Sequence, residues 1–172
     1  MNLLVTLLAT SLLSQLPQDA KVLDLGDGYS RVVTATYSVE LPTGWDISSE
    51  TRWGQRKAHP NGSNGELGIM TAPPGQQSWD ELYHTSLFFI LREKKGKPTP
   101  YRLGKTSDGL ETASFEVVDR QGFAARRYIL IRNVDGRLLA LSVHVPNREA
   151  DKQWSAHFER LLRTARFIKQ PL

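Results

Sequence analysis

The chain has 172 residues, a length that suits one domain. With 40% hydrophobic and 23% charged residues, it can bury a core without disulfides or a structural metal. It has no cysteine, which excludes a cysteine nucleophile, thiolate zinc sites, iron–sulfur clusters and a lipid-modified anchoring cysteine. The net charge of +4 is spread along the chain, whereas a nucleic-acid-binding domain gathers its Lys and Arg on one face. The densest run, Arg92, Lys94, Lys95 and Lys97, falls at a helix C-terminus, where cations offset the helix dipole. A cytoplasmic basic nucleic-acid-binding domain is therefore an alternative reading, with nucleic acid a disfavoured partner.

From Leu3 to Leu13 the sequence is apolar. Eleven residues are too few to span a bilayer but suit the hydrophobic region of a signal peptide. No Lys or Arg precedes the run, and Gln18 stands where a small residue would precede a cut after Ala20. Ala9-Thr10-Ser11 fits that pattern better but comes early. The competing reading is an amphipathic helix packed on the domain. We read residues 1–20 as a signal peptide and 21–172 as one domain, exported to the periplasm or extracellular space and not membrane-spanning. Its removal takes away a single charged residue, Asp19.

Asp24 and Asp27 in Leu23-Asp24-Leu25-Gly26-Asp27-Gly28 lack EF-hand spacing and read as a hairpin turn. Arg31 to Glu40, rich in Val, Thr and Tyr, predicts a strand that Pro42-Thr43-Gly44 ends and Trp45 to Ser49 resumes. Arg52 to His59 predicts another strand, Pro60 to Gly65 a loop, and Glu66 to Ala72 a short strand. Ser78-Trp79-Asp80-Glu81 is a capping box that opens a helix. On that helix Trp79, Leu82, Tyr83, Leu87, Phe89, Ile90 and Leu91 share one face. Phe88 points the other way, among Glu81, His84, Thr85, Arg92 and Lys95.

Three strands follow: Leu110 to Asp119, Phe123 to Asn133 and Arg137 to Val145. Asp135-Gly136 predicts a two-residue type I′ turn. That register sets Leu130 opposite Leu141, Tyr128 opposite Val143, and Arg127 beside His144. Asn147 is the predicted N-cap of a last helix, Arg148 to Thr164, with Ala150, Trp154, Phe158, Leu161, Leu162 and Ala165 buried. Arg148, Lys152, Glu159, Arg160 and Arg163 should face water. Helices before and after a meander with two apolar faces predict an α+β fold: an α/β/α sandwich with a curved antiparallel sheet and helices on both faces.

The run Tyr37-Ser38-Val39-Glu40-Leu41-Pro42-Thr43-Gly44-Trp45 resembles the opening strand and Pro-x-Gly-Trp turn of the PsbP/DcrB-like superfamily. The helix at Ser78, the meander and a closing helix ending Arg163-Thr164-Ala165-Arg166-Phe167 follow in that superfamily's order, so the likeness covers about residues 37–167. Photosystem II extrinsic PsbP proteins, a Ran-binding import factor and DcrB/LpqN-type bacterial envelope proteins share this fold. The resemblance implies accessory or binding roles and carries over no catalytic residue set.

The residues themselves point the same way. His59, His84, His144 and His157 show no paired ligand spacing, so no cofactor and no metal site is expected. A zinc site here would have to be drawn from distant positions. No Ser lies in G-x-S-x-G, and Ser142 and His144 at i,i+2 on a strand are too far apart for a good direct bond. A hydrolase with a site near His144 or His84 is the alternative from another class. The candidate partner-binding residues are Phe88, His84 and Arg92 on the first helix and Trp53, Arg52 and Arg56 on the strand before the loop. A covering by the 60–65 loop or the N-terminal segment would instead make Phe88 structural. The expectation is an exported, non-catalytic envelope protein that binds an unknown protein or an envelope lipid.

Overall fold

The computed structural model describes residues 20–168 apart from 50, 52–54, 73–74, 76 and 93–95, and describes residues 87–92 by their backbone alone. The strands before the first helix are β1 (Lys21–Asp24), β2 (Tyr29–Val33), β3 (Tyr37–Pro42), β4 (Asp46–Ile47), β5 (Gln55–His59) and β6 (Glu66–Ala72). Helix α1 (Trp79–Arg92) leads to β7 (Lys97–Pro98), β8 (Arg102–Lys105), β9 (Glu111–Val118), β10 (Ala124–Arg132) and β11 (Leu138–His144). Helix α2 (Asp151–Thr164) and β12 (Arg166–Phe167) close the chain.

The fold is the expected α+β sandwich, and its strands divide between two antiparallel sheets. The smaller has the order β1-β2-β3-β12; the larger runs β4-β5-β6-β11-β10-β9-β7, with β8 also on β9. Along β11, buried Leu139, Leu141 and Val143 alternate with half-buried Leu138, Ala140, Ser142 and His144, the period of two of a strand. Cross-strand partners put Leu67 and Ile69 on the same face as Leu141 and Val143. That face packs against Val32, Val39 and Leu41 of the small sheet and Trp154, Phe158 and Leu161 of α2 to make the main core. Each such side chain contributes about 1.5–3 kcal/mol by leaving water.

Helix α2 lies beside β3. The short β12 pairs only with Tyr37 and Ser38. Further along β3, the Glu40 backbone N–H donates to Thr164 Oγ1 of the helix at 3.0 Å. Helix α1 covers the opposite face of the large sheet, where Tyr83 meets Phe115 edge-on at 5.2 Å. The two helices thus sit on both faces of the large sheet. The capping box forms as read: Glu81 N–H donates to Ser78 Oγ at 3.2 Å and Ser78 N–H to Glu81 Oε2 at 2.7 Å.

Several local expectations are corrected. The run Arg31 to Glu40 is two strands, because Thr34 Oγ1 accepts from the N–H groups of Thr36 and Tyr37 at 3.2 and 3.0 Å and folds the backbone there. The β10–β11 loop is longer than a two-residue turn. Asn133 N–H donates to Arg137 O and Gly136 N–H to Asn133 O, each at 2.9 Å, so three residues, Val134 to Gly136, make the loop. Asp135 accepts from the Arg137 N–H at 3.0 Å. The register therefore slips by one, so that Leu130 faces Ala140, Tyr128 faces Ser142 and Arg126 faces His144. Arg127 sits opposite Val143 on the other face. Asn147 accepts from Ala150 N–H at 2.9 Å and caps a preceding turn, so the helix starts at Asp151. It ends at Thr164, and Arg166-Phe167 is extended.

Candidate binding site

One open hollow, of about 260 Å³, lies on the core-side face of the large sheet, where β8, β9 and β10 run out beyond the edge of α2. Its lining includes Arg102, Ser114, Glu116, Arg127, Ile129 and Phe158. The hollow exists because the outer edge of the sheet is interrupted. Residues Thr99 to Tyr101 stand between β7 and β8, which pair with separate stretches of β9. Thr99 bridges the gap: its N–H donates to Glu116 O at 2.8 Å, and its hydroxyl accepts from Glu116 N–H at 3.0 Å.

The inner wall is a tie between sheet and helix. Arg127 Nη2 is ion-paired with Asp151 and donates to Ser155 Oγ at 2.9 Å. On the opposite face of the sheet the same interrupted edge holds α1. The Tyr83 hydroxyl donates to Thr99 O at 2.6 Å, and its ring meets Tyr101 and Phe115, with Phe115 stacked on Tyr128 at 4.9 Å. Burial raises the pKa of Tyr83, which keeps this phenol a neutral donor. The hollow thus combines an apolar floor, Ile129 and Phe158, with the exposed charges of Arg102 and Glu116 at the rim. Such a mix suits an amphipathic group rather than a single charge.

A second polar cluster joins α2 to the small sheet. Tyr29 Oη and His157 Nδ1 are 2.8 Å apart. Arg160 stacks over the Tyr29 ring at 3.9 Å and pairs with both Asp27 and buried Glu40, each at 2.7 Å. Arg31 takes the other oxygen of Glu40 at 2.8 Å. Burial would raise the Glu40 pKa, but the bonds from Arg31 and Arg160 outweigh it and hold the carboxyl below its ordinary value. Burial also lowers the pKa of His157.

The Pro-x-Gly-Trp turn feeds this cluster. Gly44, with φ 77°, turns the chain so that the Trp45 ring lies 5.0 Å from Trp154 and 5.1 Å from His157. Trp154 in turn lies over Gly65, where an added Cβ would come within 2.5 Å of the indole.

The sequence-predicted residues are not all brought together. His84 is exposed on α1, with Nε2 3.6 Å from the Asp80 carboxylate. Phe88 and Arg92 belong to α1, but their side chains lie outside the described residues, as do Arg52 and Trp53 entirely. Arg56 is buried, 4% exposed, and donates to Ser48 O at 2.6 Å. It pairs in register with Ile69, so it shares the core-side face and the sheet separates it from His84. His59 Nδ1 lies 3.2 Å from Pro60 O, and His144 stands in register with Arg126 and Glu66. Among the described residues no three His, Asp or Glu side chains are close enough to hold a metal.

Arg160 faces inward, against the expectation that it faces water, because Asp27 and Glu40 draw it onto the small sheet. The signal available in the sequence was Glu40 itself. An acid set between the apolar Val39 and Leu41 of a strand needs a cation if the strand is buried.

No family model matches the chain, and no curated protein matches it by sequence. Among fourteen matching chains of solved structures is cyanobacterial PsbP (CyanoP) from Synechocystis sp. PCC 6803, determined in solution. The match covers 87% of this chain and 93% of that one at 13% identity, with a TM-score of 0.53. The fold is therefore PsbP-like.

Proposed function

We propose that a chain with this PsbP-like fold is an exported, non-catalytic accessory protein of a bacterial or organellar envelope, which works by binding a protein or lipid partner. The observation that carries the reading is the likeness to CyanoP along 87% of the chain. The charged groups that join α2 to the sheets support it. Arg127, Arg160 and Glu40 spend their hydrogen bonds on tying α2 to the two sheets. Export rests on the apolar run Leu3 to Leu13, and no described helix is long and apolar enough to cross a membrane.

Two surfaces are the proposed contact regions. One is the hollow beside α2, which offers an apolar floor and two exposed charges. The other is the outer face of α1 around His84, Phe88 and Arg92, with Arg52 and Trp53 as further candidates; Arg56 contributes from inside by fixing Ser48. The deciding experiment is crosslinking in the native envelope, followed by mass spectrometry of protein and lipid and of the chain's own N-terminus. A mature start between Ser11 and Lys21 and a reproducible envelope partner are expected. Soluble cytoplasmic protein with an intact Met1 would overturn the reading.

A further inference from the structure

The loop between β5 and β6 holds the dipeptide Asn-Gly twice, at Asn61-Gly62 and at Asn64-Gly65. Asparagine is a thermolabile residue. A following glycine leaves it most open to attack, because no Cβ shields the next backbone nitrogen. Both asparagines are exposed, and neither side chain makes a hydrogen bond among the described residues. The two sites differ at their glycines.

Gly62 is exposed, and nothing lies within 4 Å of where its Cβ would stand. It has φ 75° in a turn that Ser63 N–H closes on Pro60 O at 3.1 Å, the place in a type II turn that takes a positive φ. That turn leaves the Gly62 N–H without a partner among the described residues. Gly65 is buried, and its N–H donates to Ser63 Oγ at 3.0 Å. Trp154 and Pro146 fill the space on its Cβ side, and the next residue, Glu66, is already in register with His144 of β11. Bringing the Gly65 nitrogen onto Asn64 Cγ would first have to open the bond to Ser63 and the contact with Trp154.

From this contrast we infer that Asn61 is a site of spontaneous deamidation and that the fold protects Asn64. The Gly62 nitrogen attacks Asn61 Cγ; the N–Cγ bond forms, the Cγ–Nδ2 bond breaks, and the Gly62 proton leaves with Nδ2 as ammonia. Water, the one co-reactant, then opens the cyclic imide at either carbonyl, giving aspartate or isoaspartate. Either product puts a carboxylate where a neutral amide stood, taking the net charge from +4 to +3 (4 − 1). The iso form also adds a methylene to the backbone inside the turn. Gly65 anchors the chain just beyond, so the change stays in the loop and the core keeps its packing. The inference stands apart from the proposed envelope role, and either can fail alone.

The test is to age the folded protein at mildly alkaline pH and follow both sites by peptide mass spectrometry, with fragment ions separating 61 from 64. Asn61 should convert at least about tenfold faster than Asn64, since about 1.4 kcal/mol of local opening at Gly65 already slows ring closure tenfold. In urea, where both glycine nitrogens are exposed, the two rates should draw together. Asn61→Gln should abolish the fast conversion and leave the melting temperature unchanged. Equal rates at 61 and 64 in the folded protein, or the same gap persisting in urea, would overturn the inference.

Discussion

The Tyr29 hydroxyl and the His157 Nδ1, 128 residues apart in the chain, meet at 2.8 Å and bond the N-terminal hairpin to the last helix. Burial holds the His157 pKa below its ordinary 6.5. Below 6.5 the unfolded chain therefore binds a proton that the folded chain refuses. Stability should be level above that pH from this group and fall as the pH drops from about 6.5 toward the lowered folded value. His157→Gln should flatten this part of a pH series of chemical denaturations. Tyr29→Phe should cost about 0.5–1.5 kcal/mol at pH 8, the net worth of one hydrogen bond.

Glu40 is buried and shared by Arg31 and Arg160. Arg160→Ala leaves the acid with one partner and should cost about 1.5–3 kcal/mol, the range for a hydrogen bond to a charged group. Because the folded pKa of Glu40 is lowered from 4.5, the stability it confers is present above that value and fades as the pH falls through the lowered one. Adding Glu40→Gln to Arg160→Ala should restore part of the loss in urea titrations. An unchanged or larger loss in the double variant would contradict the buried-charge account.

Gly65 is fixed by packing rather than by backbone angle. A methyl group there would sit 2.5 Å from Trp154 Cζ2 and 2.8 Å from Pro146 Cδ. Gly65→Ala should cost about 1–3 kcal/mol by overpacking and shift the tryptophan emission, since the Trp154 ring beside Trp45 must give way. Near-native stability with unaltered emission would show that the loop yields freely.

Phe88 is the residue whose place on α1 follows from helical periodicity alone. As a contact residue, Phe88→Ala should leave the melting temperature nearly unchanged and weaken partner capture. A loss of about 3–5 kcal/mol, the cost of truncating a buried aromatic, with capture intact would remove this face from the proposal.

The helical parts were readable because their signals are local. Ser78 and Glu81 lie three residues apart, and the stripe of Trp154, Phe158 and Leu161 is set by one period. The strand signals failed where one side chain decides the path, as Thr34 does in splitting β2 from β3. They failed again where two turn types share one dipeptide. The shift at Asp135-Gly136 moved Arg127 to the α2 side of the sheet, and with it the inner wall of the hollow. The Tyr29–His157 and Glu40–Arg160 pairs, 128 and 120 residues apart, have no spacing that a single sequence could reveal.

The small sheet takes its strands from both ends of the chain, with β1–β3 first and β12 last. While the polypeptide is being made, β2 and β3 can pair early, but Glu40 has no Arg160 until 120 more residues have emerged. Contacts of that span are late and slow to form. The nascent chain thus lacks the counter-ion and the helix that close its main core until synthesis is nearly over. The two sheets can therefore be locked together only once α2 is complete.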